Sequence, residues 1–215
     1  MRAPELNWVK ITAVICIVNC IADFIVLFLL GNYYPGYSQL KNTISSLGAS
    51  VSPVSDAISF WWILIGIVFV FFGIILRKAF GANLKNVKIA SLLIMFYGLG
   101  EGIGSGLFKA NRINGEPTQS LVIHDVLGGI GVVAALILPL IMNKVITKKQ
   151  MPRFYFFSWV ILVVGIIMML LFTIRFSANE HNFFVFYKGL WQRFFLLNLY
   201  IYFITISIIM YNNEV

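Results

Sequence analysis

Charge is scarce in this sequence. Only 11% of its 215 residues are charged, against roughly a quarter in soluble domains, which excludes a water-exposed surface for most of the chain. Histidine occurs only at His124 and His181, and cysteine only at Cys16 and Cys20. The cysteines lie four apart in the first apolar stretch. They offer too few ligands for a metal site and read as small apolar residues on one helix face. No Walker, Rossmann, haem or zinc-finger pattern is present, and no cofactor is implied by any motif. Long internal repeats and low-complexity tracts are also missing. The net charge of +8 does not point to nucleic acid, because the basic residues form short clusters between apolar runs rather than one patch.

What fills the chain instead is apolar sequence, 60% of residues with a mean hydropathy of +0.91. Crossing a bilayer takes about 20 consecutive apolar residues. Six such stretches occur: Trp8 to Leu30, Ala57 to Leu76, Lys88 to Phe108, Leu121 to Met142, Phe154 to Ile174, and a sixth that starts between Phe183 and Arg193, near residue 186, and ends near Tyr211. The first is too long for a signal-peptide core and no Ala-x-Ala site follows it, so it reads as a retained span. The expected fold is an all-α transmembrane bundle of about six helices, forming one integral membrane domain over residues 1–215.

Loop charge orients the bundle. Arg2, Lys10, Arg77, Lys78, Lys85, Lys88, Lys144, Lys148, Lys149 and Arg153 fall on one side of the membrane; Lys41, Lys109, Arg112, Arg175, Lys188 and Arg193 fall on the other. The richer side is expected to be cytoplasmic. Both termini then lie inside the cell membrane, and the loops near Ser50, Asn114 and Glu180 lie outside. Trp61, Trp62, Tyr33, Tyr34 and Tyr37 read as members of an outer aromatic belt.

The first outer loop carries local signals. Pro35-Gly36 marks a turn, Ser38 can cap a helix, and Leu40, Ile44 and Leu47 share one helical face. This predicts a short amphipathic helix over Ser38–Leu47, ended by Gly48 and lying on the bundle.

Ionisable groups within spans are costly, about 2.5–3.5 kcal/mol on insertion scales, so their positions carry information. Asp23 and Glu101 each lie seven residues before the expected outer end of a span, about 10 Å deep. His124 and Asp125 lie one turn into the fourth span, and Arg193 near the outer start of the sixth. All of this polarity falls in the expected outer half. It serves either as interhelical glue, with Arg193 reaching Asp23 or Glu101, or as the lining of a cavity. In the third span glycine occupies every second position from Gly98 to Gly106, giving two small-residue stripes suited to close helix packing. On the fourth, His124, Gly128, Gly131 and Ala135 share a face. A short connection makes these spans an antiparallel hairpin, with Glu101, Ser105 and His124 expected to face one polar cavity.

Pro35-Gly36-Tyr37-Ser38 followed by Ile44-Ser45-Ser46-Leu47-Gly48-Ala49 resembles the signature of an uncharacterised bacterial and archaeal family of six-helix membrane proteins, a domain of unknown function. Its members read Pro-Gly-Tyr-Ser and then Ile-Ser-Glu-Leu-Gly-Ala. Gly106-Leu107-Phe108 with His124, and Gly189-Leu190-Trp191-Gln192-Arg193, are similar to later elements of the same family. Ser46 replaces the usual glutamate and Lys109 the usual proline. The resemblance implies the six-helix architecture, implies no reaction, and marks Ser45, His124 and Arg193.

Three functions fit these features. A binding protein would hold a lipid or small amphiphile, with Asp23, Ser45, Glu101, Ser105, His124, Asp125 and Arg193 as candidate contacts. An enzyme acting on lipid head groups would use Ser105 with His124 as base, or a metal held by His124, Asp125 and Glu101, although adjacent residues point about 100° apart on a helix. A structural partner of other membrane proteins would use the same groups only as glue. Beyond the bilayer itself, no partner or oligomeric state is specified.

Overall fold

Backbone amides in hydrocarbon must be bonded within the chain, so spanning segments this apolar fold as helices. The computed structural model describes residues 7–173 and 183–212. Within them six helices have the length and hydropathy to cross a membrane: α1 Trp8–Asn32, α2 Ser55–Phe80, α3 Lys85–Leu107, α4 Gln119–Val145, α5 Pro152–Thr173 and α6 Lys188–Asn212. The chain is therefore read as an integral membrane protein. Asn7 caps α1 by accepting the Lys10 amide at 3.2 Å, and Thr118 caps α4 by accepting that of Leu121 at 3.3 Å. After α2 the chain turns at Gly81, whose φ of +99° suits glycine.

Each helix packs on the next in sequence, and α6 packs back on α1, closing a ring. The Lys10 ammonium lies 5.4 Å from the centre of the Tyr211 ring, which puts the starts of α1 and the end of α6 at one end of the ring, the terminal end. The α1–α2 and α3–α4 connections occupy the opposite, loop end. Large apolar side chains such as Val18, Ile25, Phe71, Val126, Val160 and Ile201 point outward and stay exposed. On a water-soluble protein they would form apolar patches far beyond the usual size; in a bilayer they face lipid tails.

Both described connections at the loop end differ from expectation. No α-helix forms over Ser38–Leu47. The chain makes a bend, then a 3-10 turn over Ile44–Gly48 that buries Ile44 and Leu47 and leaves Leu40 exposed. The reason lies in the carbonyls. That of Asn42 accepts from Arg193 Nη1 at 3.1 Å, and that of Thr43 from the Tyr37 hydroxyl at 3.1 Å. The Thr43 carbonyl also accepts the Ser46 amide at 3.1 Å, three residues on rather than four, so these partners hold the tighter turn. The α3–α4 connection, read above only as a short connection, is a β-hairpin in which β1, Arg112–Ile113, pairs antiparallel with β2, Glu116–Pro117. Asn114 and Gly115 have φ of +52° and +85°, the two positive values of a type I′ turn.

Candidate functional site

The site begins with the glycines of α3. Between Gly98 and Gly104 the helix widens into a π segment, with the Ser105 amide reaching back to the Gly100 carbonyl. Glycine weakens the preference for α geometry, and two neighbours press on this stretch. Gly98 and Gly102 seat against Gly66 of α2, so that a Cβ on Gly102 would stand 2.7 Å from the Gly66 nitrogen. Gly100 and Gly104 seat against Leu127 and Gly131 of α4, where a Cβ on Gly104 would stand 2.8 Å from that of Leu127. The alternate glycines thus serve two different helices. Such wide turns occur often at functional sites, and this one carries Glu101.

Gly128 of α4 makes room for the Glu101 side chain. A Cβ there would lie 2.8 Å from Glu101 Oε2 and 3.2 Å from Ser105 Oγ, so both polar groups face the same strip of α4. One turn along that strip is His124, 6% exposed. Its Nδ1 lies 2.8 Å from the Phe108 carbonyl. A carbonyl can only accept, so Nδ1 carries the proton and neutral His124 keeps its lone pair on Nε2. The Trp62 ring lies beside it, 6.2 Å between centroids.

Asp23 sits across the ring on α1, 3% exposed. Its Oδ1 accepts from Trp61 Nε1 and its Oδ2 from the Tyr200 hydroxyl, both at 2.8 Å. Trp61 is therefore not a belt residue. Together with Tyr200 it joins α2 and α6 to α1.

A cavity of about 1090 Å³ lies inside the ring and reaches the loop end. Asp23, Ser45, Glu101, Ser105, His124 and Asp125 all line it. They do not form one constellation. Asp125 is exposed on the outer side of α4. Ser45 Oγ donates to Thr43 Oγ1 at 3.3 Å within the 3-10 turn. Ser105 Oγ approaches the Gly100 carbonyl at 3.5 Å, and no hydrogen bond joins it to His124 among the described residues, so the serine–histidine pair of a hydrolase is not assembled. Nor do three of the His, Cys, Asp and Glu side chains among the described residues gather closely enough to hold a metal ion. Of the proposed set of His124, Asp125 and Glu101, His124 is buried while Asp125 is exposed. Arg175 and His181 lie outside the described residues, as does the loop near Glu180.

Arg193 does not reach Asp23 or Glu101. Its Nη1 donates to the carbonyls of Asn42 and Gly189 at 3.1 and 2.9 Å, and its Nη2 to the Tyr37 hydroxyl at 2.7 Å and to Gln39 Oε1. Gln192 adds a fourth tie to the first loop by accepting the Ile44 amide at 2.8 Å. These two residues hold the first loop on the cavity's rim. Burial raises the Tyr37 pKa, and the adjacent guanidinium opposes that rise. Lys109, where the resembling family has proline, bonds Asp56 and Ser55 at 2.8 Å and Ser59 at 3.0 Å, tying the end of α3 to the start of α2.

Because the clamp is so local, Arg193→Ala is expected to raise amide exchange across residues 39–48 about tenfold or more, while Arg112→Ala leaves it unchanged. Hydrogen-exchange mass spectrometry of both variants checks this. Equal exchange in the two would show that the loop is held by its buried Ile44 and Leu47 alone.

Trp61, Tyr200 and Gln192 were not singled out from sequence. Two are aromatics that hydropathy treats as core or belt, and nothing in a linear pattern relates Tyr200 to Asp23, 177 residues earlier.

A family model described as a protein of unknown function (DUF998) matches residues 17–209, and the chain belongs to that family. No curated protein and no solved structure matches it.

Proposed function

We propose that this DUF998 member binds an amphiphile, with the polar group in the cavity's Glu101–His124 corner and the apolar chain directed past the Asp125, Gly129 and Val133 edge of α4 toward lipid. The observation that carries this reading is a shared wall. Asp125, Gly129 and Val133 line the cavity and also a shallow groove outside α4, formed with Leu93, Phe96, Val126 and Ile130. Opposite them the cavity is apolar, with Val132, Met169 and Phe172. A route of this kind suits a molecule that enters sideways from the bilayer. The volume supports it as well, since pockets for small organic ligands run from about 300 to 1,000 Å³.

Nothing stands within 4 Å of a Cβ placed on Gly129. Gly129→Trp should therefore fold and fill the shared wall. Native mass spectrometry of the full chain released from mild detergent is expected to show a retained amphiphile, reduced about tenfold in Gly129→Trp. If wild type and variant both fly as bare protein, the cavity holds water and the chain is a structural element instead.

The orientation belongs to the same proposal. The cavity opens at the loop end, away from the basic clusters of the α2–α3 and α4–α5 connections, so the positive-inside rule gives it to the extracytoplasmic face. In a Cys16→Ala, Cys20→Ala background, an impermeant thiol reagent applied to intact cells should label Asn114→Cys and spare Asn83→Cys. The reverse pattern would invert the assignment.

A further inference from the structure

Once the internal bonds of the cavity's inner corner are assigned, Glu101, His124 and Ser105 still offer a ligand at least three acceptors. Both Asp23 oxygens are occupied, by Trp61 and Tyr200. The Glu101 carboxylate receives no hydrogen bond and forms no ion pair among the described residues. His124, nine-tenths buried and lining the cavity, has its proton engaged at Nδ1, and its Nε2 lone pair has no partner among the described residues. Ser105, 5% exposed, has its hydroxyl hydrogen turned toward the Gly100 carbonyl, which leaves its lone pairs free. Trp62, Tyr97 and Tyr200 complete the wall.

Several classes of head group fail against this arrangement. An anion would meet Glu101 with no cation beside it, and only neutral donors such as the Trp62 indole on the same wall. An alcohol brings one donor to at least three acceptors and leaves the carboxylate unneutralised. A protonated primary amine brings three N–H donors and no acceptor, supplies the missing positive charge, and is attracted to aromatic faces. We propose that the occupant is a long-chain primary amine, its ammonium between Glu101, Ser105 and His124 Nε2. This rests on the amphiphile reading above and adds the chemistry of the head group. Arg112 and Lys188 also line the cavity but belong to the hairpin and to the first residue of α6 at the loop end. They leave the inner corner acidic.

The test uses the full chain in nanodiscs, titrated with dodecylamine, dodecanol and spermidine, for wild type, Glu101→Gln, Ser105→Ala, Gly129→Trp and the exposed control Asp56→Asn. Dodecylamine is expected to bind at least about tenfold more tightly than dodecanol, the scale of a hydrogen bond to a charged group. Glu101→Gln should erase that preference, Ser105→Ala should reduce it, and Asp56→Asn should keep it. Melting temperatures verify that each variant is folded, and Ser105→Ala carries the test if Glu101→Gln is not. Equal affinity for dodecylamine and dodecanol, both lost in Gly129→Trp, would overturn the amine and leave the amphiphile reading standing. Spermidine binding as tightly as dodecylamine, and depending on Glu101, would keep the amine and overturn the long chain. Failure of all three probes to bind would remove both.

Discussion

Gly102→Leu is expected to destabilise the bundle by about 3 kcal/mol or more, the upper range for overpacking, and Gly129→Leu to change it by less than about 0.5 kcal/mol. The two substitutions are chemically identical and both lie on membrane helices near the same cavity. They differ in what the new side chain meets. At Gly102 even a Cβ stands 2.7 Å from the backbone nitrogen of Gly66, and backbone cannot rotate away as a side-chain tip can. At Gly129 there is open space. Without a hydrophobic force between helices in lipid, close packing of this kind supplies much of their association, so α2 and α3 would separate. Unfolding curves in mixed detergent compare the variants directly. Equal stability would mean that the α2 and α3 backbones do not touch at this level.

Asp23→Ala should cost about 2 kcal/mol, because it strands the Trp61 N–H and the Tyr200 hydroxyl at once. A counterargument is that removing a carboxylate from the membrane relieves its insertion cost. That cost does not cancel the loss, since the helices stay inserted when the bundle comes apart and the separated α1 would hold Asp23 in still poorer surroundings. Tyr200→Phe removes one of the stranded donors. The pair should therefore be non-additive, with a coupling of about 0.6–1.7 kcal/mol as found for interhelical bonds in bilayers. Strict additivity would show that Asp23 and Tyr200 are neighbours without a bond. The exposed Asp125, by contrast, has no donor among the described residues, so Asp125→Ala should be near neutral for stability.

The physics of hydrocarbon made the frame of this protein legible from its residues. Six apolar runs had to be helices, and their ends fall within a few residues of the expected ones. The alternation of glycine from Gly98 to Gly106 also read correctly as packing, and it serves α2 and α4 in turn. What did not read through was anything depending on a distant partner. Ser38–Leu47 has the pattern of an amphipathic helix, but Arg193 and Gln192 of α6 hold it in another shape, and a periodicity count cannot see partners some 150 positions away. The π segment is hidden for a related reason, because one register of glycine looks like another until both neighbours are in place. Arg193 went astray through charge matching, which weighed only carboxylates at similar depth and ignored carbonyls and a phenol. The hairpin at Asn114-Gly115 is different. Its turn signal is one of the strongest short patterns known, but strands of two residues are too short to show alternation.

The ties between the first loop and α6 also impose an order on biosynthesis. Leu40 accepts from the Leu190 amide at 2.9 Å, Ile44 leans on Gln192, Asn42 on Arg193, and Asp23 on Tyr200. Every one of these bridges α1 or the first loop to α6. A nascent chain leaving the ribosome has α1 inserted long before α6 exists, and through that interval Asp23 has only the Trp61 half of its partners and the first loop has no clamp. The cavity therefore cannot be finished piecemeal. It comes into being when the last helix arrives, and a nascent chain arrested before Leu190 would hold five inserted helices around an unfinished chamber. Such late closure makes α1, with its buried Asp23, the segment most in need of shelter while synthesis proceeds.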